Sequence, residues 1–84
     1  MPDTLKRYTN MTNAANDTFD ILVNGQPRQI NSGDTITSLL RDLSLEGRKV
    51  AVAINRSVIP RGQFEISTLE PGDRVEILEA VGGG

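Results

Sequence analysis

Ser32-Gly33-Asp34-Thr35-Ile36-Thr37-Ser38-Leu39-Leu40-Arg41-Asp42-Leu43 is the stretch on which the reading of this chain turns. Ile36, Leu39, Leu40 and Leu43 fall at i, i+3, i+4 and i+7, the spacing that lines side chains up along one face of an α-helix. Asp34 and Thr35 stand where a side-chain oxygen accepts hydrogen bonds from the orphan N–H groups of a first helical turn. Arg41 and Asp42 lie off the stripe, and Gly47 is the expected stop just beyond the helix end. A short helix with one apolar face must lie on something apolar, and the flanking segments supply it as strands.

Upstream, Phe19-Asp20-Ile21-Leu22-Val23 alternates as a strand does and ends at Asn24-Gly25, a dipeptide suited to the positive φ angles of a type I′ hairpin turn. A short return strand follows through Arg28-Gln29-Ile30, with Pro27 tolerated if its missing N–H faces solvent or the turn. Downstream, Val50-Ala51-Val52-Ala53-Ile54 is β-branched at every other position and is the clearest strand. Asn55 to Ser57 makes a turn, Val58-Ile59 a brief extended piece and Pro60-Arg61-Gly62 a break. Between Gln63 and Leu69 there is room for a short strand at Phe64-Glu65-Ile66 and a single helical turn after it. Glu70-Pro71-Gly72-Asp73 has Pro and Gly in the order of a type II turn and launches a last strand, Arg74 to Glu79, which runs straight into Ala80-Val81-Gly82-Gly83-Gly84.

One helix among these strands predicts an α+β fold of the β-grasp kind: a mixed four- to five-stranded sheet with one main helix packed on one face. Because side chains alternate across a strand, Phe19, Ile21, Val23, Val50, Val52, Ile54, Val75 and Ile77 share a face and meet the helix stripe as the core. The opposite parity leaves Leu22, Ala51, Ala53 and Leu78 on the uncovered face, where they are expected to form a docking patch for a partner protein. The chain divides into an arm over 1–18, a folded domain over 19–79 and a glycine tail over 80–84. In the arm Asn, Thr and Asp dominate without apolar periodicity, which predicts disorder, and Met11 is a second candidate translation start.

Composition narrows the function. Eighty-four residues make one domain. With no Cys there is no disulfide framework, thiolate nucleophile or thiolate metal site; with no His the usual general base and commonest metal ligand are gone as well. The chain is therefore not expected to be an enzyme, and no metal or other cofactor is expected to be bound by it. Nine basic and eleven acidic residues are interspersed, net charge −2, and Tyr8, Phe19 and Phe64 are the only aromatics, which argues against nucleic acid. The N-terminus lacks the basic-then-apolar order of a signal peptide and no apolar run reaches membrane-spanning length, so no membrane is expected and the cytoplasm is the expected location.

Taken in order, Val23-Asn24-Gly25, Asp34-Thr35-Ile36 through Leu39-Leu40, Val52-Ala53-Ile54-Asn55, Val58-Ile59-Pro60-Arg61, Pro71-Gly72-Asp73-Arg74-Val75-Glu76-Ile77 and Val81-Gly82-Gly83-Gly84 resemble the ThiS family, the small sulfur carriers of thiamine biosynthesis. The resemblance covers the chain from Phe19 onward; the arm departs from it. It implies that Gly84 is the working residue. A ThiF-type adenylating enzyme, using ATP and Mg²⁺, would convert its carboxylate to an acyl-adenylate, a sulfur donor protein would turn that into a thiocarboxylate, and a ThiG-type thiazole synthase would take the sulfur. Gly82 and Gly83 would give the tail access to partner sites, since glycine has no Cβ. Arg56, Arg61 and Arg74 are candidate contacts for the adenylating partner. The alternatives are a carrier for molybdopterin synthesis or tRNA thiolation, a ubiquitin-like modifier, or an interaction module without tail chemistry. Molybdopterin carriers approach their terminus through a proline, where this chain has Glu79-Ala80-Val81.

Overall fold

The computed structural model describes residues 17–80. Strands β1 (Thr18–Val23), β2 (Gln26–Asn31), β3 (Val50–Ile54), β4 (Ser57–Ile59) and β5 (Arg74–Glu79) form one sheet in the spatial order β2-β1-β5-β3-β4, and a single helix, α1 (Ile36–Asp42), connects β2 to β3. β1 and β5 run parallel, and the other neighbouring pairs are antiparallel. This mixed five-stranded sheet with one helix is the β-grasp arrangement the sequence predicts.

Two tight hairpins set the register. Val23 pairs with Gln26 across Asn24-Gly25, whose φ angles of 51° and 83° are both positive, as a type I′ turn requires. Ile54 pairs with Ser57 across Asn55-Arg56 in the same way, at 50° and 73°. Pro27 lies opposite Leu22 on the edge strand. The Val23–Gln26 pair closes the turn with mutual hydrogen bonds, so the next pair is of the non-bonded kind and the missing N–H of Pro27 costs no ladder bond.

Helix α1 begins where the sequence places it. Thr35 is the N-cap, its Oγ1 accepting the Ser38 N–H at 3.2 Å, while the Asp34 carboxylate instead accepts the Asn31 N–H at 3.0 Å. The end differs from expectation. Asp42 is the last helical residue, and Ser44, not Gly47, takes the left-handed conformation that terminates it, with φ 62°. The Leu45 N–H reaches the Leu40 carbonyl at 2.8 Å and the Ser44 N–H reaches Arg41 at 3.0 Å, the paired bonds of a Schellman motif. Gly47, at φ 81°, serves the following turn, which closes from Arg48 N–H to the Leu45 carbonyl at 3.0 Å.

The core combines Ile21, Val23, Ile30, Val52, Val75 and Ile77 from the sheet with Ile36, Leu39 and Leu40 from the helix. Phe19, Val50, Ile54 and Leu43 are partly buried against it, so the expected face is the observed one. Phe64 and Leu69, from the long β4–β5 connection, complete the core. That connection corrects a second expectation, because Phe64-Glu65-Ile66 is not a strand. A 3₁₀ turn over Arg61–Gln63 swings Phe64 inward and leaves Ile66 in solvent. The reason lies at the helix start: the Phe64 carbonyl accepts the Thr37 N–H at 3.0 Å and the Ser67 carbonyl accepts Ile36 N–H at 3.2 Å. With Thr35 supplying acceptors to Ser38 and Leu39, the four first-turn donors of α1 are satisfied.

Candidate functional site

β5 carries the chain toward the glycine tail, and it is the central strand of the sheet, braced on both sides. Val75 and Ile77 point into the core. On one side β3 pairs along it from Ile54↔Val75 to Val50↔Glu79, and the Ala80 N–H donates to the Lys49 carbonyl at 2.9 Å, carrying the ladder one residue past the strand. On the other side β1 pairs only at Leu22↔Arg74 and Val23↔Val75, because the chain then turns away at Asn24.

Asn24 replaces the missing strand. Its backbone N–H donates to the Val75 carbonyl at 2.8 Å, its Oδ1 accepts the Ile77 N–H at 2.8 Å, and its Nδ2 donates to the Ile77 carbonyl at 3.1 Å. The asparagine of the other hairpin holds the beginning of β5. Asn55 Oδ1 accepts the Arg74 N–H at 2.9 Å, and its Nδ2 donates to Asp73 Oδ1 at 3.0 Å. Asp73, a buried carboxylate, also caps its own turn by accepting the Glu70 N–H at 2.9 Å, so each of its oxygens has a partner. That turn is type II, with Gly72 at φ 79° and Asp73 N–H bonded to the Glu70 carbonyl at 3.1 Å. β5 is thus fixed from Asp73 to Ala80. Gly82, Gly83 and Gly84, the expected working tail, lie outside the described residues, as do Met11 and the arm up to residue 16.

The outer face of the sheet carries the predicted patch. Leu22, Ala51, Ala53 and Leu78 all line one open groove of about 660 Å³. Register explains the grouping: Ala51 is opposite Leu78, Ala53 opposite Glu76, and Leu22 opposite Arg74, all on the face away from the helix. The groove has one apolar wall the sequence reading missed, Val58, which lies opposite Ala53 on β4 and is 76% exposed. A three-residue strand shows no alternation, so its parity was unreadable. Arg74 and Glu76 supply a cation and an anion beside the apolar centre.

The three candidate arginines do not form one surface. Arg74 lines the groove, Arg56 sits exposed at the tip of the β3–β4 hairpin, and Arg61 lines a smaller hollow with Leu40, Val50 and Phe64. Among the described residues no three His, Cys, Asp or Glu side chains come together in a way that would hold a metal ion, and no helix is long and apolar enough to cross a membrane.

The family model described as "ThiS family" matches residues 21–84. The sulfur carrier protein ThiS of Escherichia coli is 33% identical over 66 residues, covering 79% of this chain and all of the relative. A crystal structure of the thiamine biosynthesis protein ThiS from Geobacter metallireducens superposes with a TM-score of 0.64 at 34% identity, over 79% of this chain and the whole of that one. A thiazole synthase of Paramagnetospirillum magneticum is 33% identical over 64 residues. That match takes in 76% of this chain and only 20% of the synthase, so the chain spans about a fifth of the length of that relative. The family match begins in β1 and runs through residue 84, taking in the braced strand, the groove and the glycines together. The chain belongs to the ThiS family, the sulfur carriers of thiamine biosynthesis.

Proposed function

We propose that this chain carries sulfur as a thiocarboxylate on Gly84 and delivers it to thiazole formation, working as a co-substrate of partner enzymes in the cytoplasm rather than as a catalyst. The observation that supports this most is that β5 is braced up to Ala80, so that only the four residues from Val81 to Gly84 stand between a fixed strand and the carboxylate. Four extended residues reach at most about 14 Å, enough to enter a partner's site while the folded body stays outside.

The chemistry follows from the group itself. A terminal carboxyl titrates near ~3.5, so at neutral pH it is an anion and resists nucleophilic attack. An adenylating enzyme of the ThiF type, holding ATP and Mg²⁺, would let a carboxylate oxygen attack the α-phosphorus and expel pyrophosphate. Sulfide-level sulfur delivered by a sulfur donor protein then attacks the acyl carbon and expels AMP, leaving the thiocarboxylate. Gly82 and Gly83 keep the approach free of side chains. The groove of Leu22, Ala51, Ala53, Val58 and Leu78 docks the partners, and the occurrence of a related segment within thiazole synthases supports a ThiG-type enzyme as the acceptor.

Removing Gly83 and Gly84 tests the reading. The shortened chain is expected to bind the adenylating enzyme through the groove yet support no sulfur transfer. Full sulfur transfer by the shortened chain would refute it, and would favour a binding module without tail chemistry.

A further inference from the structure

Asn24 is the only asparagine in this chain followed by glycine, and it is also the residue whose side chain stands in for a strand beside β5. These two facts conflict chemically. A glycine after asparagine leaves its backbone nitrogen unhindered, and around Gly25 there is open space where a Cβ would point. That nitrogen can attack Asn24 Cγ. The bond from Cγ to Nδ2 breaks, ammonia leaves with the proton released by the Gly25 nitrogen, and a five-membered succinimide remains. Water then opens the ring at either carbonyl, giving an aspartyl or an isoaspartyl residue.

We infer that Asn24 is a deamidation site whose amide doubles as the latch on β5, so that the fold protects it while closed and loses the latch once it reacts. Protection comes from the two hydrogen bonds to Ile77, which hold Cγ in place and occupy the departing Nδ2. Each contributes about a factor of five to the closed-to-open ratio, so the folded chain reacts roughly 25-fold more slowly than an open one. Loss of the latch follows from the product. A carboxylate has no donor for the Ile77 carbonyl and sets oxygen against oxygen there. The isoaspartyl product also lengthens the main chain inside a two-residue turn whose φ angles and register are fixed. Beyond Val75, β5 would then be held by β3 alone.

The experiment follows the full chain at mildly alkaline pH, folded and in urea, by peptide mapping. Asn24 is expected to gain a carboxylate before Asn31 or Asn55, and at least about tenfold faster in urea than folded. Equal rates in the two conditions, or earlier reaction at either of the other two, overturns the inference. Hydrogen exchange gives a second readout in Asn24→Asp and in Asn24→Gly, which keeps the turn's positive φ without an amide to lose. Asn24→Gly, which removes the oxygen that accepts the Ile77 N–H, is expected to speed exchange at Ile77 by about tenfold or more while Val52 is unchanged, and Asn24→Asp, which keeps that oxygen, to speed it less; unchanged exchange at Ile77 in Asn24→Gly overturns the latch. The consequence for the tail rests on the carrier reading, and slower adenylation of the deamidated chain is expected; the mapping and exchange results stand whether or not Gly84 is activated.

Discussion

Leu78→Ala separates the groove's role in binding from its role in folding. Leu78 is 75% exposed although it sits on the central strand, so the folded domain has realised only a quarter of what its burial offers. Fully burying a leucine contributes roughly 1.5–3 kcal/mol, and three-quarters of that, about 1.1–2.2 kcal/mol, is left for a partner to gain. Its loss should raise Kd by about 6- to 40-fold. Leu78→Asp should cost more, since the partner would also desolvate a carboxylate among apolar groups. Stability should change by no more than about 0.5 kcal/mol, or about 2–4 °C in Tm, as for other exposed positions. Titration calorimetry against the adenylating partner, paired with thermal melts, measures both quantities. Ile66→Ala is the control: Ile66 is 69% exposed but outside the groove, and its loss should leave Kd unchanged. A Kd within about twofold of the parent for Leu78→Ala at unchanged Tm, or an equal loss from Ile66→Ala, would refute the docking assignment.

Leu39 is fully buried in the helix stripe, and Leu39→Ala should destabilise by about 2–5 kcal/mol in urea titrations, enough to threaten so small a domain. Ser44→Gly should stabilise by up to ~1 kcal/mol, because Ser44 holds a left-handed conformation at the helix end that glycine adopts without a Cβ penalty. Loss of stability in Ser44→Gly would contradict the C-terminal cap. Arg48→Ala removes an exposed ion pair with Glu79 and should cost less than about 0.5 kcal/mol, a cost that shrinks further at high salt.

What the sequence revealed and what it hid divide along physical lines. Features encoded by local chemistry were legible: the stripe Ile36, Leu39, Leu40 and Leu43, the Asn24-Gly25 hairpin, and the Pro71-Gly72 turn. The four outer-face residues were legible because β1, β3 and β5 are long enough for their parity to be read, and the register then gathers them into one groove. Features set by tertiary partners were hidden. Ser44 ends α1 although serine carries no strong signal for a left-handed cap, and Gly47 drew the expectation to itself by having one. Phe64 is held inward because its carbonyl and that of Ser67 complete the helix start, an arrangement no local pattern announces. Val58 joined the groove through a strand too short to alternate. Asn24 and Asn55 read only as turn residues, yet their side chains brace β5 from both sides.

The measurement that tests the central proposal most directly is the intact mass of the chain after incubation with its adenylating enzyme, ATP and a sulfur donor. The account predicts a gain equal to exchanging one oxygen for sulfur, mapped by fragmentation to Gly84, and no such gain when Gly83 and Gly84 are deleted. An unchanged mass, from an enzyme demonstrably active on another carrier of this family, would contradict it.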